Sequence, residues 1–475
     1  MLFNSLHFLV FFCFTTFAYY SLSGINRRLL LLLASCYFYM AFIPAYLLIL
    51  ILIILIDYGA GIGIEQLRGR FRQWMLLMSL TANLGLLGFF KYYNFFTDQV
   101  RMLQTTLGWG SPIPALDDMV PGIVLPIGLS FHTFQSLSYI IEVYRGRQKA
   151  ERDLGVYALY VLFYPQLVAG PIERPQNILP QLKQVHAFNW PDVRYGLLLM
   201  AGGFFKKVVI ADRLALIVDP AFGQIDATNG TSLLLAAVAY SFQIYCDFSG
   251  YSDIAIGAGQ VMGIRMMQNF QAPYLATSVT EFWRRWHISL STWFRDYVYL
   301  PLGGNRGSEL RTALNTILVF ALSGLWHGAD WKFVIWGLLH ACFLVANRWW
   351  LARKAVSQTS ATLSGLTHPI INQIITFTLV TLAWVFFRAD NTGQAVGIIG
   401  KILSLQPGES IQIAVKSTEL IFSCLLIGVL LMETHWSHFI RHTSNAQFWP
   451  TILSVIALCY LTGVFSPNQF IYFQF

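Results

Sequence analysis

Charge is what this sequence has least of: 11% of its 475 residues are Asp, Glu, Lys or Arg, against about 25% in a soluble globular domain. That scarcity excludes an ordinary water-soluble protein. It excludes a disordered chain too, because 56% of the residues are hydrophobic and disorder requires few of them. Cysteine is also sparse. Cys13, Cys36, Cys246, Cys342, Cys424 and Cys459 are scattered, without the close pairings of a zinc or thioredoxin-like site, and read as small buried hydrophobes rather than a disulfide framework. Nothing charged precedes Arg27, so the basic region and cleavage site of a signal peptide are missing, and residues 2–22 are expected to be a retained first span. Internal repeats and long linkers are absent as well, which points to a single integral-membrane domain over residues 1–475.

What the chain does have is long apolar runs, with a mean hydropathy of +0.56. Its net charge of +8 comes from short basic clusters between those runs. Such clusters suit topology and lipid headgroups, and they form no continuous stripe for nucleic acid. Arg27 and Arg28 favour a cytoplasmic first loop. Leu29 to Ile56 carries no charge and is interrupted by Pro44, so it fits one tilted span or a broken pair of short ones. A single crossing would leave basic clusters on both sides, because Arg68, Arg70 and Arg72 follow it.

Further apolar candidates lie at 74–90, 120–141, 154–170, 195–218, 232–262, 312–326, 331–347, 370–387, 418–432 and 449–465. The expectation is an all-α, polytopic membrane protein with about ten to thirteen membrane segments. The basic connector 145–152 marks the cytoplasmic side, and the Pro/Asp-rich stretch 111–121 the outer one.

Residues 263–311 break this rhythm, with charges, tryptophans and turn residues crowded together. Trp283, Trp286, His287, Leu290, Trp293, Phe294 and Tyr297 recur at helical spacing, while Arg284, Ser291 and Arg295 fall elsewhere on the circumference. This predicts an amphipathic, interfacial helix near 280–298, with Thr280 as its cap. A plain membrane-surface anchor would have the same pattern. His287, on the face of Trp283 and Trp286, argues for more, because a buried imidazole is costly unless it is paired or put to use. A second imidazole, His327, ends an apolar run between Gly324 and Gly328, small residues that let a substrate or another backbone come close. Asp330 is a candidate partner for it.

Forty residues separate the two histidines, a gap compatible with two helices presenting both rings to one cavity, one as base and one as orienter or donor. A metal site ranks below acid/base chemistry, because no Cys, Asp or Glu pattern completes a ligand set. His132, Gln135, Gln166, Glu173, Arg174, Gln243, Asp247, Asp253 and His340 read mostly as helix-packing hydrogen bonds. The Tyr164–Arg174 stretch holds two prolines and a glycine. Its backbone must be broken, and it is a candidate lining for a tunnel.

Phe282-Trp-Arg-Arg-Trp-His287-Ile-Ser-Leu-Ser, Pro301-Leu-Gly-Gly-Asn-Arg306 and Ser323-Gly-Leu-Trp-His327-Gly, taken in order, resemble the membrane-bound O-acyltransferase (MBOAT) family, on its alginate O-acetyltransferase branch. The resemblance extends through Met1-Leu-Phe-Asn-Ser, Tyr164 to Arg174, Phe242-Gln-Ile-Tyr-Cys-Asp-Phe-Ser-Gly-Tyr-Ser-Asp253 and the closing Phe470-Ile-Tyr-Phe-Gln-Phe475, so it covers essentially the whole chain.

It implies a multi-helix membrane fold with a central tunnel. His327 would be the catalytic residue, as general base or nucleophile, and His287 its partner, orienting it or polarising the acyl carbonyl. Arg284, Arg285 and Arg295 would attract an anionic donor such as acetyl-CoA, which is a substrate and not a bound cofactor, with Trp326 as a further substrate contact. The implied setting is the bacterial inner membrane, with periplasmic acetyltransferase partners and an exopolysaccharide acceptor that no residue identifies. A multi-span transporter or flippase for a polysaccharide or lipid-linked sugar is the alternative, with the histidines as proton relays.

Overall fold

The computed structural model describes residues 1–109, 113–120, 124–168, 170–357, 369–411, 415–465 and 470–471. Parts of four stretches singled out above lie outside them: 111–112 and 121 of the Pro/Asp-rich connector, 121–123 of the apolar candidate 120–141, residue 169, and 472–475 of the closing motif. Among the described residues the secondary structure is helical, apart from one isolated bridge between Thr228 and Glu409.

Most apolar candidates are helices, but fewer of them have the length of a simple crossing than the ten to thirteen expected. Among the described residues five helices are long and apolar enough to span a membrane: Tyr46–Gln66, Gly69–Leu107, Gly230–Val261, Trp331–Trp350 and Pro369–Arg388. A sixth would be Ser417–Leu430 with Glu433–His442, a pair bent by 55°. The shortfall has local causes. The run around Pro44 is two helices, Ile25–Met40 and Tyr46–Gln66, because a proline interrupts the hydrogen-bond ladder. Two helices also allow the Arg27 and Arg68 clusters to share one side, which a single crossing would not. Among the described residues of 154–170, the helix runs only over Leu154–Leu162, as the breakers from Pro165 onward require.

The chain forms two compact units, neither continuous in sequence: residues 1–197 with 255–267, and 198–254 with 268–475. In the first, helices are tied by buried polar groups. Asp57 accepts hydrogen bonds from Ser79 Oγ and Asn83 Nδ2 of the next helix, and Glu173 accepts from Asn177 and the Met267 amide. Such bonds satisfy groups that would otherwise be stranded in an apolar interior.

The second unit contains both candidate histidines. Its helices Glu309–His327 and Trp331–Ser357 form a hairpin packed closely enough that a Cβ on Gly324 would lie 2.2 Å from the Phe333 carbonyl oxygen, and one on Gly337 2.1 Å from that of Phe320. The glycines therefore serve backbone approach between helices, one of the two uses the sequence allows. A π-helical stretch, Phe205–Ala211, places Lys206 and Lys207 in succession inside this unit. Lys206 meets Asp253 and Glu433 there, and Lys207 meets Asp212 and Asp247. Buried ammonium groups persist only with such partners.

Candidate active site

The segment expected to be one interfacial helix is not continuous. It forms Val279–Arg285, then Ile288–Phe294, then a π-helical turn over Arg295–Tyr299. Its N-cap is Ser278, whose side chain accepts from the Glu281 amide, and not Thr280. The break falls at His287, which has φ 42° and ψ 55°. A non-glycine residue in this left-handed region costs of order 1–3 kcal/mol and needs its surroundings to hold it. The apolar side is interior: Phe282 and Trp286 are each 1% exposed and His287 is fully buried. Arg284 and Arg295 remain exposed on the other side.

Asn269 supplies what holds the break. Its carbonyl oxygen accepts from the Ile288 amide at 2.9 Å, and its side-chain oxygen accepts from the Ser289 amide and hydroxyl at 3.2 and 2.9 Å. The same Oδ1 lies 3.1 Å from His287 Nδ1. Because the Ser289 amide can only donate, the atom facing it is the oxygen, so His287 Nδ1 must carry the proton. In the neutral ring, Nε2 then holds the lone pair. Phe248 packs edge-on against the imidazole at 4.7 Å.

His327, the last residue of its helix, is 4% exposed. Its ring lies 4.7 Å from Trp326, 5.0 Å from Trp336 and 5.3 Å from Phe387. Trp326 is also 6.1 Å from His287, so one indole contacts both imidazoles and the two rings are brought into a common aromatic chamber. Asp330 accepts from the Lys332 amide.

The structure adds a third imidazole that sequence reasoning placed among packing residues. His340 is fully buried and its Nδ1 accepts from the Trp283 indole N–H at 3.2 Å. Its ring is 5.0 Å from Trp336, the residue that also contacts His327. Asn269 was missed altogether, and Ser289 was seen only as part of the motif around His287. An Asn close to a crowded aromatic segment was the only available signal.

Among the described residues of this unit, two cavities bear on the site. One, of about 960 Å³, is walled by Trp283, Ile288, Phe320 and Leu344 and carries Arg284, Arg295 and Arg348 against a single acid, Glu309. Arg285, the third arginine expected to bind donor, folds back on Glu281 at 2.6 Å and the Ala272 carbonyl. The other, of about 590 Å³, begins at Gly328, next to His327, and is lined by Lys207, Asp212, Tyr240, Gln243 and Asp247 among others. Among the described residues no group of three or more His, Cys, Asp and Glu converges as a metal site would require.

The sequence profile of the MBOAT, membrane-bound O-acyltransferase family matches residues 153–388, a range that includes all three imidazoles. The chain is 42% identical to the probable alginate O-acetylase AlgI of Pseudomonas aeruginosa over 395 residues, 82% of this chain and 72% of that protein. It is 36% identical to the peptidoglycan O-acetyltransferase of Helicobacter pylori over 413 residues, 81% and 75% of the two chains. With the teichoic acid D-alanyltransferase of Bacillus subtilis it shares 30% identity over 240 residues, 47% and 60% respectively.

Proposed function

As the chain belongs to the membrane-bound O-acyltransferase family and is a multi-pass O-acyltransferase, we propose that it passes an acetyl group from a cytosolic thioester such as acetyl-CoA across the bacterial inner membrane. The group is destined for O-acetylation of an exopolysaccharide, with periplasmic partner proteins completing the transfer. Relatives named for acetylation of alginate and of peptidoglycan support a polysaccharide as the final acceptor. The transport reading gives way, because family membership makes the chain a transferase.

The observation that carries the site is the pair of buried imidazoles sharing one indole, Trp326. In this reading His327 is the general base. It removes the proton of the attacking hydroxyl as the new C–O bond forms, the C–S bond of the thioester breaks, and the proton passes to the departing thiolate. His287 orients the reactants. With its proton committed to Asn269, its Nε2 is an acceptor in the neutral ring, which favours orientation over polarising the acyl carbonyl. The 960 Å³ cavity suits the donor, with apolar walls for the pantetheine arm and Arg284 and Arg295 for its phosphates.

The test is acetyl transfer from radiolabelled acetyl-CoA in inverted membrane vesicles supplied with candidate polysaccharide and partners. His327→Ala is expected to lose transfer by about 10²-fold or more while remaining inserted at the wild-type level. Equal incorporation by the variant would remove His327 from the chemistry.

A further inference from the structure

The 590 Å³ cavity beside Gly328 differs in chemistry from the donor-sized cavity, and its lining specifies what it can hold. Three oxygen atoms in its wall have neither a hydrogen-bond nor an ion-pair partner among the described residues: Gln243 Oε1, Asp212 Oδ2 and Tyr240 Oη. Their residues are 8%, 4% and 1% exposed. Leaving a polar group buried and unpaired costs about 1–3 kcal/mol, so three in one wall mark places where a ligand supplies the missing partners. Gln243 Oε1 and an ionised Asp212 are acceptors only, and Tyr240 can give or take. The complement is a molecule with several hydroxyl donors, not one.

Charge narrows the class further. The cavity is lined by five carboxylates, those of Asp212, Asp219, Asp247, Asp330 and Asp390, against Lys207, Lys332 and Arg388. Those cations are already engaged. Lys207 bridges Asp212 and Asp247 at 2.8 and 2.6 Å, Arg388 pairs with Asp219 at 2.9 Å, and Lys332 Nζ donates to the Ala389 carbonyl at 2.7 Å. An anionic ligand would meet five carboxylates against three cations, two of which already pair with carboxylates, and like charges brought together in a site are a strong discriminator. We infer that this cavity binds a neutral, hydroxyl-rich sugar segment and rejects a polyuronate. Its volume lies within the roughly 300–1,000 Å³ of small-ligand sites. The inference rests on the acyl-transfer reading only for the ligand's role, that of a polysaccharide segment held next to Gly328 while the partner proteins complete the transfer.

Binding can be measured without turnover. Full-length protein purified in detergent is dialysed to equilibrium against tritiated cellotriose, or against an oligomannuronate of equal length, with no acyl donor present. Cellotriose is expected to bind saturably and at least tenfold more tightly than the acidic oligomer. Gln243→Leu and Tyr240→Phe should each weaken it about fivefold, the worth of one hydrogen bond to a neutral group, with the elution profile and melting temperature of the variants checked against wild type. The inference is overturned by equal or tighter binding of the oligomannuronate, by no saturable binding of cellotriose, by unchanged affinity in both well-folded variants, or by saturable binding of a seryl peptide where cellotriose has none. Because no donor is present, the result stands apart from the acetyl-transfer assay, and failure of either leaves the other to be read by itself.

Discussion

His287 and His340 are equally buried, yet they carry their protons on opposite nitrogens. His287 Nδ1 faces an amide oxygen and must donate, which leaves Nε2 as an acceptor. His340 Nδ1 faces an indole N–H and must accept, so the neutral ring has its proton on Nε2. The difference shows that burial does not set the role of an imidazole here. The partner on the neighbouring segment does, by choosing the tautomer. One ring presents a lone pair to the chamber it shares with His327, and the other anchors a tryptophan that lines the donor-sized cavity.

The strongest way to break this contrast is to remove the atom that sets it. Asn269→Leu deletes the acceptor for His287 Nδ1 and for the Ser289 amide and hydroxyl together, freeing both the tautomer and the left-handed turn. Acetyl transfer is expected to fall on the order of 10²-fold, by the misplacement argument for positioning groups. Asn269→Asp keeps an oxygen acceptor and should recover part of that loss. If Asn269→Leu transfers acetyl at the wild-type rate, Asn269 does not govern His287.

A smaller effect is expected at the other imidazole. His340→Leu strands the buried Trp283 indole N–H, at a cost of about 1–3 kcal/mol, visible as a lower melting temperature, while transfer by the folded fraction falls less than tenfold. His340→Asn, which can offer an oxygen to the indole, should restore part of the stability. A loss of transfer as deep as that of Asn269→Leu, without loss of stability, would place His340 in the chemistry and erase the contrast.

Much of the helical architecture was legible because apolar runs and their breakers are local. Pro44 and the Pro165–Pro171 stretch interrupt helices where their backbone chemistry requires it. His287 and His327 stood out as ionisable groups in apolar surroundings. The break at His287 was hidden because a left-handed turn at a non-glycine residue is imposed from outside the segment, by Asn269 eighteen residues earlier. His340 was visible only as one polar residue among many, since its partner Trp283 lies 57 residues away. The cavity wall at Lys207 and Asp212 depends on a π-helical turn, which the 3.6-residue pattern does not reveal. Gly324 was ambiguous between substrate access and helix packing until Phe333 lay against it.

The smallest effect separates arginines adjacent in sequence. Arg284 and Arg295 are exposed and line the donor-sized cavity, whereas Arg285 closes an i,i+4 pair with Glu281, both side chains about 30% exposed. A pair so open to solvent contributes at most about 1 kcal/mol to stability, and its guanidinium is turned away from any ligand in the cavity. Arg285→Ala is therefore expected to leave KM for acetyl-CoA within about twofold of wild type, since removing a screened ion pair alters folding slightly and binding hardly at all. Arg284→Ala and Arg295→Ala should raise KM severalfold at low salt, and the rise should shrink at high salt as ions screen the attraction between guanidinium and phosphate. Measuring KM for the three variants at both salt levels decides the matter. If Arg285→Ala raises KM as much as its neighbours do, the donor meets the side of the helix that faces Glu281, and the cavity assignment moves with it.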